Sequence, residues 1–70
     1  MTYELLLRFL SFVPQARART AEFIDLYERA VQLLDGADQV EAREALADVQ
    51  ADNNEGYPRL DAKLAAAAQR

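Results

Sequence analysis

Residues 2–13, TYELLLRFLSFV, decide how the rest of the chain must fold. On a helix of 3.6 residues per turn, Glu4, Arg8 and Ser11 fall at spacings of four and three and share one narrow polar stripe. Tyr3, Leu5, Leu6, Leu7, Phe9, Leu10, Phe12 and Val13 then cover well over half of the circumference. A helix packed on one neighbour needs a narrower apolar face than that. The first helix therefore requires contacts on two sides.

Moving outward, Pro14 disfavours helical geometry at Val13 and removes a backbone donor, so a helix over 2–13 stops or kinks there. A second helix is expected over 15–35. In it Phe23, Ile24, Leu26, Tyr27, Ala30, Val31, Leu33 and Leu34 form a broad apolar face opposite Glu22, Asp25, Glu28, Arg29 and Gln32. Gly36 stands just past the last periodic residue, where a left-handed terminator is usual, and Asp38 with Glu41 has the spacing of a capping box. These signals predict a tight turn over 35–37 and a third helix over 38–53 with Val40, Leu46 and Val49 inward. Asn53, Asn54, Gly56 and Pro58 carry helix-breaking chemistry, after which Leu60, Leu64 and Ala67 continue the apolar register on a last helix over 58–69.

The chain of 70 residues is one domain, 1–70, and is 51% hydrophobic and 29% charged with two Gly and two Pro, a balance that favours folding over disorder. Ala, Leu, Glu and Arg dominate while β-branched residues are scarce, which favours helix and offers little to a sheet. The fold class is all-α. Its simplest form is a kinked antiparallel helical hairpin turning near Gly36; the competitor is a small three- to four-helix bundle with the first helix folded back. Such a short chain leaves much of its surface in water, so dimerisation is expected to assist it. The longest apolar run, residues 5–13, is broken by Arg8 and Ser11 and falls well short of the roughly 20 residues of a bilayer crossing. With Glu4 before that run and Pro14 after it, the pattern does not fit a secretory signal, and a cytoplasmic protein is expected.

The chemistry available is limited. There is no histidine and no cysteine, so the usual general base, triad member, disulfide staple and thiolate metal ligands are all missing. The reading is a non-enzymatic protein with no cofactor and no metal. Acid pairs such as Glu41 with Glu44, or Asp48 with Asp52, share a helix face but lie largely opposite the apolar stripe. The oxygen-rich stretch 52–56 departs from a calcium loop, since the sixth and twelfth places counted from Asp52 hold Tyr57 and Lys63.

Charge is unevenly placed. Residues 1–20 carry +2, residues 21–55 carry −8 and residues 56–70 carry +2, for a net charge of −4. With a pI near 4.6, direct nucleic-acid binding is disfavoured. An acidic surface including Glu41, Glu44, Asp48 and Asp52 could meet a basic protein surface, and Arg17 with Arg19 could hold an anionic partner.

The tail from Ala51 to Arg70, ADNNEGYPRLDAKLAAAAQR, resembles the Ala/Arg/Asp-rich helical tails of small accessory proteins in temperate phages and mobile elements of GC-rich bacteria. The resemblance covers about twenty residues and contains no diagnostic motif. It implies a non-enzymatic protein that docks on a host or viral component in the host cytoplasm and inhibits it.

Taken from the residues themselves, the functional expectation is a protein-protein interaction module that docks on or inhibits a partner protein, working as a homodimer. Leu6, Phe9, Leu10 and Val13 are its expected anchors, with Tyr57 as a further interface residue beside Pro58. Two alternatives accompany it: a peripheral membrane protein lying on its residues 2–19, and an acidic decoy for a nucleic-acid-binding protein.

Overall fold

The computed structural model describes residues 2–51 and 56–69, and among them the chain forms five α-helices: α1 (Tyr3–Ser11), α2 (Gln15–Ala18), α3 (Ala21–Val31), α4 (Gly36–Gln50) and α5 (Pro58–Ala68). No strand occurs among the described residues. Each junction has a local cause. Thr2 caps α1, its hydroxyl accepting from the Leu5 amide at 3.3 Å, and α1 ends two residues before Pro14. The expected helix over 15–35 is divided in two by Thr20. Its extended backbone stops α2, its hydroxyl donates back to the Arg17 carbonyl at 2.8 Å, and the same oxygen accepts from the Phe23 amide at 3.2 Å to start α3. A β-branched hydroxyl residue favours such a cap over a helix interior.

The turn between α3 and α4 also differs from expectation. Gly36 is the first residue of α4, with Asp35 extended before it, and the left-handed glycine among the described residues is Gly56 at φ 86°. The Asp38–Glu41 capping box is therefore displaced into the helix. The reason is that α3 stops early: Leu33 and Leu34 donate to the carbonyls of Ala30 and Val31 at 3.1 and 2.9 Å, and the Gln39 amide donates to the Leu34 carbonyl at 2.9 Å. Right-handed turns and one side chain satisfy the helix end without a left-handed residue. The third predicted helix also ends sooner, at Gln50 rather than 53, with Ala51 extended.

The hairpin is not formed. Its arms would run about 50 Å at roughly 1.5 Å per residue, whereas the molecule measures 29 × 25 × 17 Å. The competing architecture, a small helical bundle with α1 folded back, is the observed one. At its centre lies α4, which packs against α1, α2, α3 and α5, while α1 also packs on α5. Ala42 and Ala45 are fully buried on α4 and allow this close approach from several sides. Leu6, Leu7 and Leu10 from α1, Tyr27 and Val31 from α3, Val49 from α4 and Leu60 from α5 fill the core. Val40, expected inward, is exposed; the buried face of α4 runs instead through Ala42, Ala45, Leu46 and Val49.

Polar contacts between distant segments fix the ends of the central helices. Tyr57, at the start of α5, supplies no side-chain cap; Asp48 on α4 does so, its Oδ2 accepting from the Arg59 and Leu60 amides at 3.0 and 3.1 Å. At the same C-terminal end of α4, Arg19 Nε donates to the Gln50 carbonyl at 2.9 Å and Gln15 donates to the Ala51 carbonyl. In return the Gln50 amide donates to the Ala18 carbonyl at 2.9 Å, which fastens the short α2 to the bundle. Buried side-chain polar atoms among the described residues all have partners.

Candidate interaction surface

The first helix divides into three faces. Tyr3, Leu6, Leu7 and Leu10 point into the core, and Glu4 pairs with Arg8 at 2.8 Å on a polar edge. Leu5, Phe9 and Phe12, at spacings of four and three, form a third face left largely in water, 56, 54 and 85% exposed. On α3 and the turn after it, Leu26 and Leu33 are 65 and 73% exposed and share a helical face with Ala30. The surplus of apolar surface expected from residues 2–13 is thus present, and α3 adds to it.

Phe9 from the first row and Leu26 and Ala30 from the second meet at one feature. Leu6, Phe9, Phe23, Leu26, Tyr27 and Ala30 line an open trough of about 230 Å³ between α1 and α3. The Phe9 and Phe23 rings bridge the helices as a stacked pair with centroids 6.2 Å apart, and Phe23 continues the stack to Tyr27 at 5.9 Å. The helices run in opposite directions, since residues 2–4 share a hollow with residues 33–35 while Phe9 meets Phe23. Tyr27 contributes only its ring to the trough. Its hydroxyl donates to the Ala42 carbonyl at 2.7 Å, and burial, aided by the charges of Tyr3 and Glu28, pushes the phenol well above its ordinary range. The lining therefore offers no nucleophile, no acid or base and no metal ligand. What it can do is remove apolar side chains of a partner from water.

The expected anchors are redistributed by the fold. Leu6, Leu10 and Val13 are 1, 0 and 7% exposed and belong to the chain's own core, so as docking anchors they are corrected; Leu6 shows only an edge at the floor of the trough. Phe9 stands at the exposed surface as expected. The large apolar residues left exposed on α1, α3 and the residues just after them also include Leu5, Phe12, Leu26 and Leu33. Tyr57 is half-buried against the core at the start of α5, away from this face.

The charged surface is corrected more deeply. Asp48 is buried and serves as the α5 cap, so it is not a free partner contact, whereas Arg19 stays exposed while its Nε donates to the end of α4. Glu41 and Glu44 both hold Lys63, the latter at 3.0 Å. Burial lowers the Lys63 ammonium, but hydrogen bonds and charge from the two acids outweigh it and leave the group above its usual value. Glu28 is similarly occupied: its hydrogen bonds with Arg43 hold its carboxyl below the usual carboxylate range. Arg17 is exposed beside Ala16, Thr20 and Glu22. Asp52, with the rest of 52–55, lies outside the described residues.

Among the described residues no group of three His, Cys, Asp or Glu side chains is placed to hold a metal ion, and no helix is long and apolar enough to cross a membrane. Compared with protein-family models, curated protein sequences and solved structures, the chain matches none.

Proposed function

We propose that this protein is a non-catalytic protein-protein interaction module that docks through the apolar face shared by α1 and α3. One observation carries the reading: Leu5, Phe9, Phe12, Leu26 and Leu33 are more than half exposed on two adjacent helices beside an apolar trough. Isolated apolar side chains on a surface need no explanation, but exposed Phe9 and Leu26 on the walls of an apolar trough, with Leu5, Phe12 and Leu33 exposed on the same two segments, favour a place where another molecule sits. The edge charges favour a protein over a lipid headgroup layer. Arg8 is paired with Glu4, and Glu22 and Asp25 accompany Arg29 along α3, so the face has no cationic excess to draw it to an anionic membrane. An acidic-decoy role is weakened by the pairing of Glu28, Glu41 and Glu44 with Arg43 and Lys63 within the chain.

The resemblance of the tail to phage and mobile-element accessory proteins agrees with such a docking role, on a host or viral protein in the cytoplasm. The test is cross-linking of the full chain in its native host, in parallel with the Leu26→Glu variant. Protein adducts that disappear in the variant are expected. Adducts that are unchanged in the variant, or co-sedimentation with anionic vesicles in place of protein adducts, would overturn the reading.

A further inference from the structure

We infer that the occupant of the α1–α3 face is a second copy of this chain, related to the first by a two-fold axis through the trough. The inference rests on the proposed docking role of that face and adds the identity of the partner. Two features of the surface point to it.

The first is area. A fully accessible aromatic side chain presents about 150–250 Å², with leucine somewhat below that. At the observed exposures the five side chains offer about 600 Å² of apolar surface, close to the roughly 800 Å² per partner that a stable interface buries. A second copy brings the same apolar set to the contact, and a two-fold interface requires such self-matching patches.

The second is the charge pattern of the two edges. Along α1 the edge carries Glu4 and then Arg8; along α3 it carries Glu22 and Asp25 and then Arg29. Because the helices are antiparallel with Phe9 level with Phe23, Arg8 stands near the height of Asp25 and Glu4 near the height of Arg29. A two-fold running along the trough lays α1 of one copy over α3 of the other and sets Arg8 against Asp25 and Glu4 against Arg29. A two-fold running across it lays α1 over α1 and sets Glu4 against Arg8, but on α3 it brings Asp25 against its own copy. In the first arrangement opposite signs meet on both edges, which is the condition for a complementary contact and favours the axis along the trough. A partner of one dominant sign would meet a like charge on every edge.

Sedimentation equilibrium of the full chain over the micromolar range tests this, with Phe12→Asp and Leu26→Glu measured beside it and circular dichroism confirming helicity. Both positions are exposed, so the fold is retained. The expected result is a mass of twice 7.9 kDa for the parent chain, and self-association weakened roughly a hundredfold or more in each variant, as for loss of an interface centre. A parent chain that stays at 7.9 kDa throughout overturns the inference, as does a dimer indifferent to both substitutions. An apolar fluorescent dye then separates the two claims. A monomer that binds the dye, and loses it in Leu26→Glu, overturns the second copy but leaves the face a docking site for a different protein; a monomer that binds none removes both.

Discussion

Replacing Asp48 with alanine isolates the contact that holds the last helix to the central one. Its Oδ2 accepts from the Arg59 and Leu60 amides at 3.0 and 3.1 Å, the second and third residues of α5, where no local side chain serves as cap. Pro58 occupies the first position and has no amide hydrogen to offer. Losing an N-terminal cap costs about 0.5–2 kcal/mol, and losing a partly buried negative charge at the positive end of the helix dipole adds up to about 1–2. The expected cost is therefore about 2 kcal/mol, against a total near 4–10 kcal/mol for a domain of this size. In a domain this small that lowers Tm by about 8–16 °C, read by circular dichroism at low protein concentration. Asp48→Asn keeps an acceptor oxygen and should cost about half as much. Asp61, exposed in the first turn of the same helix, provides the control: its alanine variant loses only the dipole interaction, about 0.3–1 kcal/mol. If Asp48→Ala melts no earlier than Asp61→Ala, the capping argument is wrong.

Three further outcomes follow from the same structure. Leu10→Ala, at a fully buried position between α1 and its neighbours, should cost about 3 kcal/mol through lost burial and the cavity left behind, measured by urea denaturation. Arg19→Ala removes the donor to the Gln50 carbonyl and should cost about 1 kcal/mol, with hydrogen exchange rising at the end of α4 more than elsewhere. Tyr27 sets an alkaline limit: burial raises its phenol from the ordinary value of 10.0, so the folded state favours the neutral form. That contribution is complete below the unfolded value and is lost as pH climbs above it. Stability of the parent chain should thus fall beyond pH 10, with Tyr27 ionising only on unfolding, and Tyr27→Phe should flatten that fall at the cost of its bond to Ala42. A parent profile no steeper than that of the variant would contradict this.

Much of the fold was legible because it rests on local periodicity. The helical class, the inward Leu60 and Ala67, the stop before Pro14 and the excess apolar surface of residues 2–13 all follow from spacing along the chain. What was not legible depends on contacts distant in sequence. Asp48 reads as one more surface acid until α5, eleven residues on, is seen to place its amides on it. Arg19 reads as a residue for an anionic partner until its Nε is seen to donate to the end of α4. The break at Thr20 had a local signal, a hydroxyl residue able to cap three residues ahead of the apolar face that begins at Phe23, but no proline or glycine stood beside it to mark a stop. The anchors were misassigned for a related reason. With apolar residues on two faces of α1, periodicity cannot say which face the chain itself covers. The stripe of Leu5, Phe9 and Phe12 was present at helical spacing, yet only the position of α4 and α5 shows that it is the one left over.

We propose that this protein meets its partner, a second copy in the first instance, at the α1–α3 face. Two-dimensional amide NMR spectra recorded on dilution from millimolar to micromolar concentration test it at each residue. Concentration-dependent shifts are expected to be confined to α1, α3 and the residues just after them, strongest at Leu5, Phe9, Phe12, Leu26 and Leu33, with the outer residues of α4 and α5 unmoved. Spectra that do not change on dilution, or changes centred on α4 and α5, would contradict it.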